Sequence, residues 1–310
     1  MNYQLGERKA MQNRTVNLPY LALFVVVVST ITILIFSAVT PGPVFSPGTN
    51  QSSAVYDRVM KSGVIRAGYI IYPPGSYKDP NTGKLSGVFV EALEGAASNM
   101  DLKVEWVEEV SWGSMIEGLN AGRYDLIGTQ VWANSTRAKF VDFSVPLFYS
   151  GIGVFVRSND DRFDGDLSKI NSSSVRIATI DGEMSAIIAK QDYPHAQTVS
   201  HPQLSDNSQI LLDVATGKAD VTFVEPYIAD LFLANNAGTV RNLVIQRPIR
   251  IFPNTMLVPK GDIRFKTMLD TALTELLNTG YVDELMLKYV PTKGAFYPVD
   301  YPYRTEERPQ

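Results

Sequence analysis

Twice along this chain, short apolar runs alternate with segments whose apolar residues recur at helical spacing. In the first set, VIRAGY (64–69) alternates and is bounded by Gly63 and Pro73-Pro74, which predicts a strand. Val88, Phe89, Ala92, Leu93, Ala96 and Ala97 then follow a helical period, and VEWV (104–107) predicts the next strand. Met115, Ile116 and Leu119 mark a helix that Gly122 ends, and YDLIGT (124–129) is a third apolar run. In the second set, IGVFVR (152–157) and VRIATI (175–180) predict strands, and Asp181-Gly182-Glu183 feeds a helix through Ile187 and Ile188. Leu211, Leu212 and Val214 predict a helix closing at Gly217. A strand over 220–224 follows, then Glu225 and Pro226 at a helix start. Strand, helix, strand, helix, strand is the pattern of a parallel α/β sheet.

The two sets echo each other. YDLIGT follows Ala-Gly-Arg, and ADVTFV (219–224) follows Gly-Lys, so two similar α/β lobes are expected. One lobe takes residues 55–149 and 250–296, and the other takes 150–249. The chain crosses first near 149–153 and returns through QRPIRIFPNTML (246–257). Helical patterns over 265–278 and 281–289 are expected to pack on the first lobe. Residues 297–310, with prolines and charged ends, are expected to form a flexible tail.

Composition narrows the function. The 310 residues are 45% hydrophobic and 19% charged with a net charge of −4, which suits a folded protein of about two domains and offers no basic footing for nucleic acid. No cysteine is present, so disulfides, thiolate metal sites and a cysteine nucleophile are excluded. His195 and His201 are the only histidines, too few for a zinc site or a serine–histidine triad, and no metal or other cofactor is expected.

One segment is not globular. No charge occurs between Thr15 and Tyr56, and the run from Tyr20 to Val39 is nearly all apolar, about the 20 residues that cross a bilayer as a helix. Arg8, Lys9 and Arg14 precede it, which predicts a cytoplasmic tail (1–17), a single transmembrane helix or signal segment (18–40) and an extracytoplasmic remainder. The long apolar core and the bulky Phe36 favour an uncleaved anchor in the inner membrane over a cleaved signal that frees the protein into the periplasm. Residues 41–54, rich in proline, glycine and serine, read as a linker.

Between Gly128 and Gly151 runs GTQVWANSTRAKFVDFSVPLFYSG. Arg137 stands there among small and polar residues. Its planar fork suits a carboxylate and stays charged when desolvated. Taken alone, it reads as a helix cap or a surface partner of Asp142.

The ordered set of motifs resembles the extracellular solute-binding proteins of polar amino-acid ABC transporters. It comprises the strand with Pro73-Pro74, Gly83-Lys84-Leu85-Ser86-Gly87-Val88, and Trp112 through Ala121. Gly122-Arg123-Tyr124-Asp125-Leu126, Arg137 with Val141-Asp142-Phe143-Ser144, and Gly217-Lys218-Ala219-Asp220 up to Glu225 complete it. The resemblance implies a two-lobed periplasmic-binding-protein-like fold of type II with two interlobe crossings, here preceded by one transmembrane helix. It further implies that Arg137 clamps a carboxylate, that Glu225 takes an ammonium, and that Tyr72 and Trp112 sandwich the solute. For Glu225 the alternative is service at a helix N-terminus, and for Tyr72 and Trp112 it is ordinary core packing.

Departures from the pattern accompany these expectations. Trp132 stands where relatives carry Thr or Ser, Gln130 replaces a small residue, and Glu183 in Gly182-Glu183-Met184 replaces a hydroxyl-bearing turn. Two carboxylate-binding hydroxyls are therefore lost while an aromatic and an acid are gained, which points to a cationic or aromatic amino-acid-like solute. The function expected is a membrane-tethered receptor that hands this solute to an ABC permease. The alternatives are a dehydratase-like enzyme acting on cyclohexadienyl carboxylates, with Glu225 or Glu183 as the acid, and a ligand sensor.

Overall fold

The structure, a computed structural model, describes residues 54–290 and 296–299. Helix α1 (Ala54–Ser62) leads into strand β1 (Val64–Tyr69), the small hairpin β2 (Tyr77–Lys78) and β3 (Leu85–Ser86), and helix α2 (Val88–Asn99). Strand β4 (Lys103–Glu109), helix α3 (Met115–Asn120), strand β5 (Leu126–Trp132), the short turn α4 (Ser135–Ala138) and β6 (Val141–Phe143) follow. Strand β7 (Phe148–Arg157) crosses to a second lobe of β8 (Arg176–Ile180), α5 (Met184–Asp192), β9 (Gln197–His201), α6 (Asn207–Ala215), β10 (Val221–Val224), α7 (Pro226–Leu233) and β11 (Val240–Asn242). Strand β12 (Arg250–Pro259) returns, and α8 (Ile263–Thr279) and α9 (Tyr281–Tyr289) pack on the first lobe before β13 (Tyr297–Pro298).

Sheet order explains why two strands join the lobes. In the first lobe β1 lies between β4 and β5, parallel to both, and β12 runs antiparallel to β5. In the second lobe β8 lies between β10 and β9, parallel to both, and β10 runs antiparallel to β7. Strand β7 spends its first half on β12, from Phe148 opposite Asn254 to Ile152 opposite Arg250, and its second half on β10. The crossings are thus two paired ten-residue strands rather than loops.

The repeat seen in sequence has a structural counterpart at the foot of each lobe. The Arg66 amide donates to Asp125 Oδ2 at 2.7 Å and its guanidinium to the Gly122 carbonyl at 3.0 Å. In the second lobe the Arg176 amide donates to Asp220 Oδ2 at 2.9 Å and its guanidinium to the Gly217 carbonyl at 2.9 Å. Each brace ties the glycine-ended helix turn to the first strand of its lobe. Arg58 adds to the first, and Arg157 and Arg162 add to the second.

Every residue of β5 is buried, because it is a central strand covered on both faces. Gly128 allows this closeness, since a Cβ there would stand 2.6 Å from Leu93 Cδ2 and 2.8 Å from Trp106. Asp262 caps α8 by accepting from the Phe265 amide at 3.1 Å and also accepts from the Val55 amide at 3.1 Å, fastening α1 to the first lobe.

Two expectations change. Strand β5 continues past Thr129, which brings Gln130 and Trp132 onto a rigid element. The tail expected to be flexible from residue 297 begins instead as β13, laid antiparallel on β7 with Tyr297 opposite Tyr149. The cause is Phe296, which is buried against Phe148 at 5.0 Å and carries the next residues along the crossing strand. No helix among the described residues is long and apolar enough to cross a membrane, and the span expected between Tyr20 and Val39 lies outside the described residues.

Candidate functional site

The seven residues singled out from sequence fall where the two lobes meet. Strand β5 carries Gln130 and Trp132, and Arg137 sits in α4, whose N-cap Asn134 accepts from the Arg137 amide at 3.0 Å. Tyr72 lies beyond β1 and Trp112 beyond β4, while Glu183 and Glu225 sit at the N-caps of α5 and α7 in the other lobe. All except the half-buried Trp112 are buried.

Arg137 is only 5% exposed and makes no ion pair with Asp142. Its Nη1 donates to the Trp132 carbonyl at 3.2 Å, and its Nη2 crosses to the Gly182 carbonyl of the second lobe at 3.2 Å. The guanidinium lies 5.8 Å from the Trp112 ring centre. Asp142 is engaged elsewhere, by Lys260 at 2.8 Å. Burial lowers the Arg137 pKa to about 10, opposed by the charge of Glu183.

Glu225 is the second interlobe contact. It occupies the N-cap of α7, yet its side chain makes no capping bond. Its Oε1 instead accepts from Gln130 Nε2 of the other lobe at 3.2 Å, and its Oε2 has no partner. Burial pushes this carboxyl up to about 7, and the charge of Glu183 adds to the rise. Tyr72 Oη, Gln130 Oε1 and Asn254 Oδ1 are likewise buried without partners. A buried polar atom left unpaired costs about 1–3 kcal/mol, so the Glu225, Gln130 and Asn254 oxygens call for hydrogen-bond donors, and the Tyr72 hydroxyl can both donate and accept.

Glu183 behaves differently. Its Oε2 caps α5, accepting from the Ser185 amide at 2.6 Å and the Ser185 hydroxyl at 2.5 Å. Burial raises its pKa, and the bonds from Ser185 oppose that rise. It contributes charge beside Arg137 while one of its oxygens is held by its own helix.

Three aromatics complete the walls. Tyr72 meets Trp112 edge-on at 5.6 Å and Trp132 edge-on at 6.0 Å. Phe252 of β12 stacks on Trp132 at 5.5 Å, and Trp132 Nε1 donates to Ser150 Oγ at 3.0 Å, which also accepts from Asn254 Nδ2 at 3.0 Å. Ser150, Phe252 and Asn254 were not picked out from sequence. The only signal for Ser150 and Asn254 was polarity inside the otherwise apolar crossing runs FYSGIGVFV and IFPNTMLV, and Phe252 is one apolar residue among its neighbours there. Trp112 also lines an interlobe cleft of about 420 Å³ with Pro73, Glu109, Gln203 and Phe232, a space that the other six residues do not line.

Residues 65–292 match the profile of the bacterial extracellular solute-binding proteins, family 3. The chain is 32% identical over 130 residues to the probable amino-acid ABC transporter-binding protein of Haemophilus influenzae, covering 42% of this chain and 50% of that one. It is 31% identical over 189 residues to the probable ABC transporter extracellular-binding protein YckB of Bacillus subtilis, covering 58% and 61%. The matches therefore span about half to three fifths of these relatives' lengths. Among solved structures, an ancestral amino acid-binding protein described as a precursor of cyclohexadienyl dehydratase superposes with a TM-score of 0.66 at 25% identity, covering 77% of this chain and 99% of that one.

Proposed function

The chain belongs to the bacterial extracellular solute-binding proteins of family 3, and from that premise we propose that it is a receptor for a small ammonium-bearing, amino-acid-like solute held between its lobes. The observation that carries this reading is the buried guanidinium of Arg137 facing the buried carboxyl of Glu225 across the lobes, with unpartnered oxygens around the acid. Each charge alone lacks half of a zwitterion's complement, and only the shut lobes present both. Charge-assisted bonds in such a dry chamber are roughly twice as strong as neutral ones. Tyr72, Trp112 and Trp132 supply faces for an aromatic or cationic side chain.

Gln130 and Glu183 shape the same chamber. Gln130 holds Glu225, and the charge of Glu183 beside Arg137 favours a solute with an extra positive charge. Delivery would be to an ABC permease, from a protein held at the membrane by the apolar run between Tyr20 and Val39 with the lobes outside the cytoplasm. A thermal-shift screen of amino acids against basic and aromatic amines tests the reading. Tight binding of glycine or alanine with no response to basic or aromatic compounds would sink the solute class.

A second reading rests on one specific observation. Glu225, buried and with its carboxyl pushed up to about 7, has the proton affinity of a general acid. In a dehydratase-like reaction Arg137 would hold the substrate carboxylate and Glu225 would protonate the leaving hydroxyl. Incubation with prephenate or arogenate separates the two readings: a dehydrated, decarboxylated product supports the enzyme, and substrate recovered unchanged supports the receptor.

A further inference from the structure

Tyr227 comes from the second lobe, in the first turn of α7 and two residues after Glu225, yet its phenol ends among residues of the first lobe. Its hydroxyl donates to the backbone carbonyl of Tyr289 at 3.1 Å and lies 3.1 Å from Tyr77 Oη. With the Tyr227 proton given to a carbonyl, the Tyr77 hydroxyl must be the donor in the second bond, so the chain runs from Tyr77 through Tyr227 to Tyr289. Burial followed by the Tyr227 contact pushes the Tyr77 phenol far above its usual range, so Tyr77 keeps the proton it donates.

The bed that receives Tyr227 is fixed independently. Tyr77 and Tyr289 stack at 5.7 Å with 21° between their planes. The Tyr289 hydroxyl bonds Glu91, which Lys288 also holds at 2.8 Å. On its other side the Tyr227 ring meets Phe296 at 5.6 Å, and Phe296 packs on Phe148 of the crossing strand β7. Tyr227 is 7% exposed. Its bonds span the two lobes, and none of its hydrogen-bond partners belongs to the candidate chamber.

We propose that Tyr227 is a positioning residue for that chamber, a closure latch that holds the start of α7, and with it Glu225, against Gln130 when the lobes shut. The latch goes beyond the receptor reading: it depends on lobe closure and not on which solute is bound. Two neutral hydrogen bonds are made when the lobes meet and exchanged for water when they part. Removing both lowers the ratio of closed to open protein by about fivefold or more.

The chain has no cysteine, so a pair introduced at the exposed positions Asn81 and Ala237 on opposite lobes can be spin-labelled uniquely in the full chain. Double electron–electron resonance on solute-free protein then reads the closed fraction directly. Tyr227→Phe is expected to lower it most. Tyr77→Phe should lower it less, because one bond remains. Tyr289→Phe should leave it unchanged, because only the backbone carbonyl of Tyr289 serves the latch. If Tyr227→Phe does not fold, Tyr77→Phe against Tyr289→Phe gives the same contrast. A closed fraction untouched by Tyr227→Phe and Tyr77→Phe, or lowered as far by Tyr289→Phe, overturns the latch and leaves the receptor reading standing.

Discussion

Replacing Glu225 by glutamine should change how stability depends on pH, and the structure sets the sign and size. The carboxyl is buried, accepts one bond from Gln130, and has moved from 4.5 to about 7, chiefly because burial disfavours its charge. The folded protein therefore binds this proton more tightly than the unfolded chain does. Stability from the group is fully present below about pH 4.5 and is lost as the pH rises through about 7. A tenfold change in proton affinity is worth about 1.4 kcal/mol, so the loss amounts to about 3 kcal/mol. Glutamine stays neutral throughout and removes that slope. Urea unfolding of wild type and Glu225→Gln at pH 5 and pH 8 reads it, because all other titrating groups are common to both. The wild type should lose about 2.5 kcal/mol more than the variant over that interval, slightly less than the full term because the unfolded carboxyl is already mostly ionised at pH 5. Equal losses in the two proteins would show that Glu225 is already ionised in the folded state and refute the account of its burial.

Other outcomes follow from the same structure. Arg137→Ala should weaken a zwitterionic or anionic solute by about 2–5 kcal/mol by calorimetry, because it unpairs a desolvated charge; unchanged affinity would place Arg137 outside the chamber. Gly128→Ala should destabilise the first lobe by about 1–3 kcal/mol in urea unfolding, since its Cβ would stand 2.6 Å from Leu93 Cδ2 within a fully buried strand. A Gly128→Ala variant as stable as wild type would mean that Leu93 and Trp106 give way freely.

Much of the fold is legible because the period of the apolar residues is set by local geometry. VIRAGY becomes β1 over the expected residues, and the repeated glycine-basic-aspartate turns end in matched braces on Arg66 and Arg176. What escaped is long-range. Strand β5 runs on through Gln130 and Trp132 because β12 pairs beside it, with Asn254 opposite Trp132, a partner more than a hundred residues away. Strand β13 forms because Phe296 finds Phe148, which nothing local in a proline-containing tail announces. In the chamber, Arg137 and Glu225 were legible through the family resemblance, because taken alone Arg137 fitted a cap or surface residue. Ser150 and Asn254 were not, since their importance lies in bonds between strands: Ser150 accepts from Trp132 and from Asn254. The difference between Glu183, which caps its helix, and Glu225, which caps nothing, appears only once the side chains are placed.

The central claim is that Arg137 and Glu225 hold one small solute between the lobes. Mass spectrometry of what is released when the purified protein is denatured tests it most directly, run beside the Arg137→Ala/Glu225→Gln double variant. The account predicts a single small polar compound with a protonatable amine, near one per protein chain, and its absence from the variant. The same compound in equal amount from both proteins, or one with neither amine nor carboxylate, would contradict it.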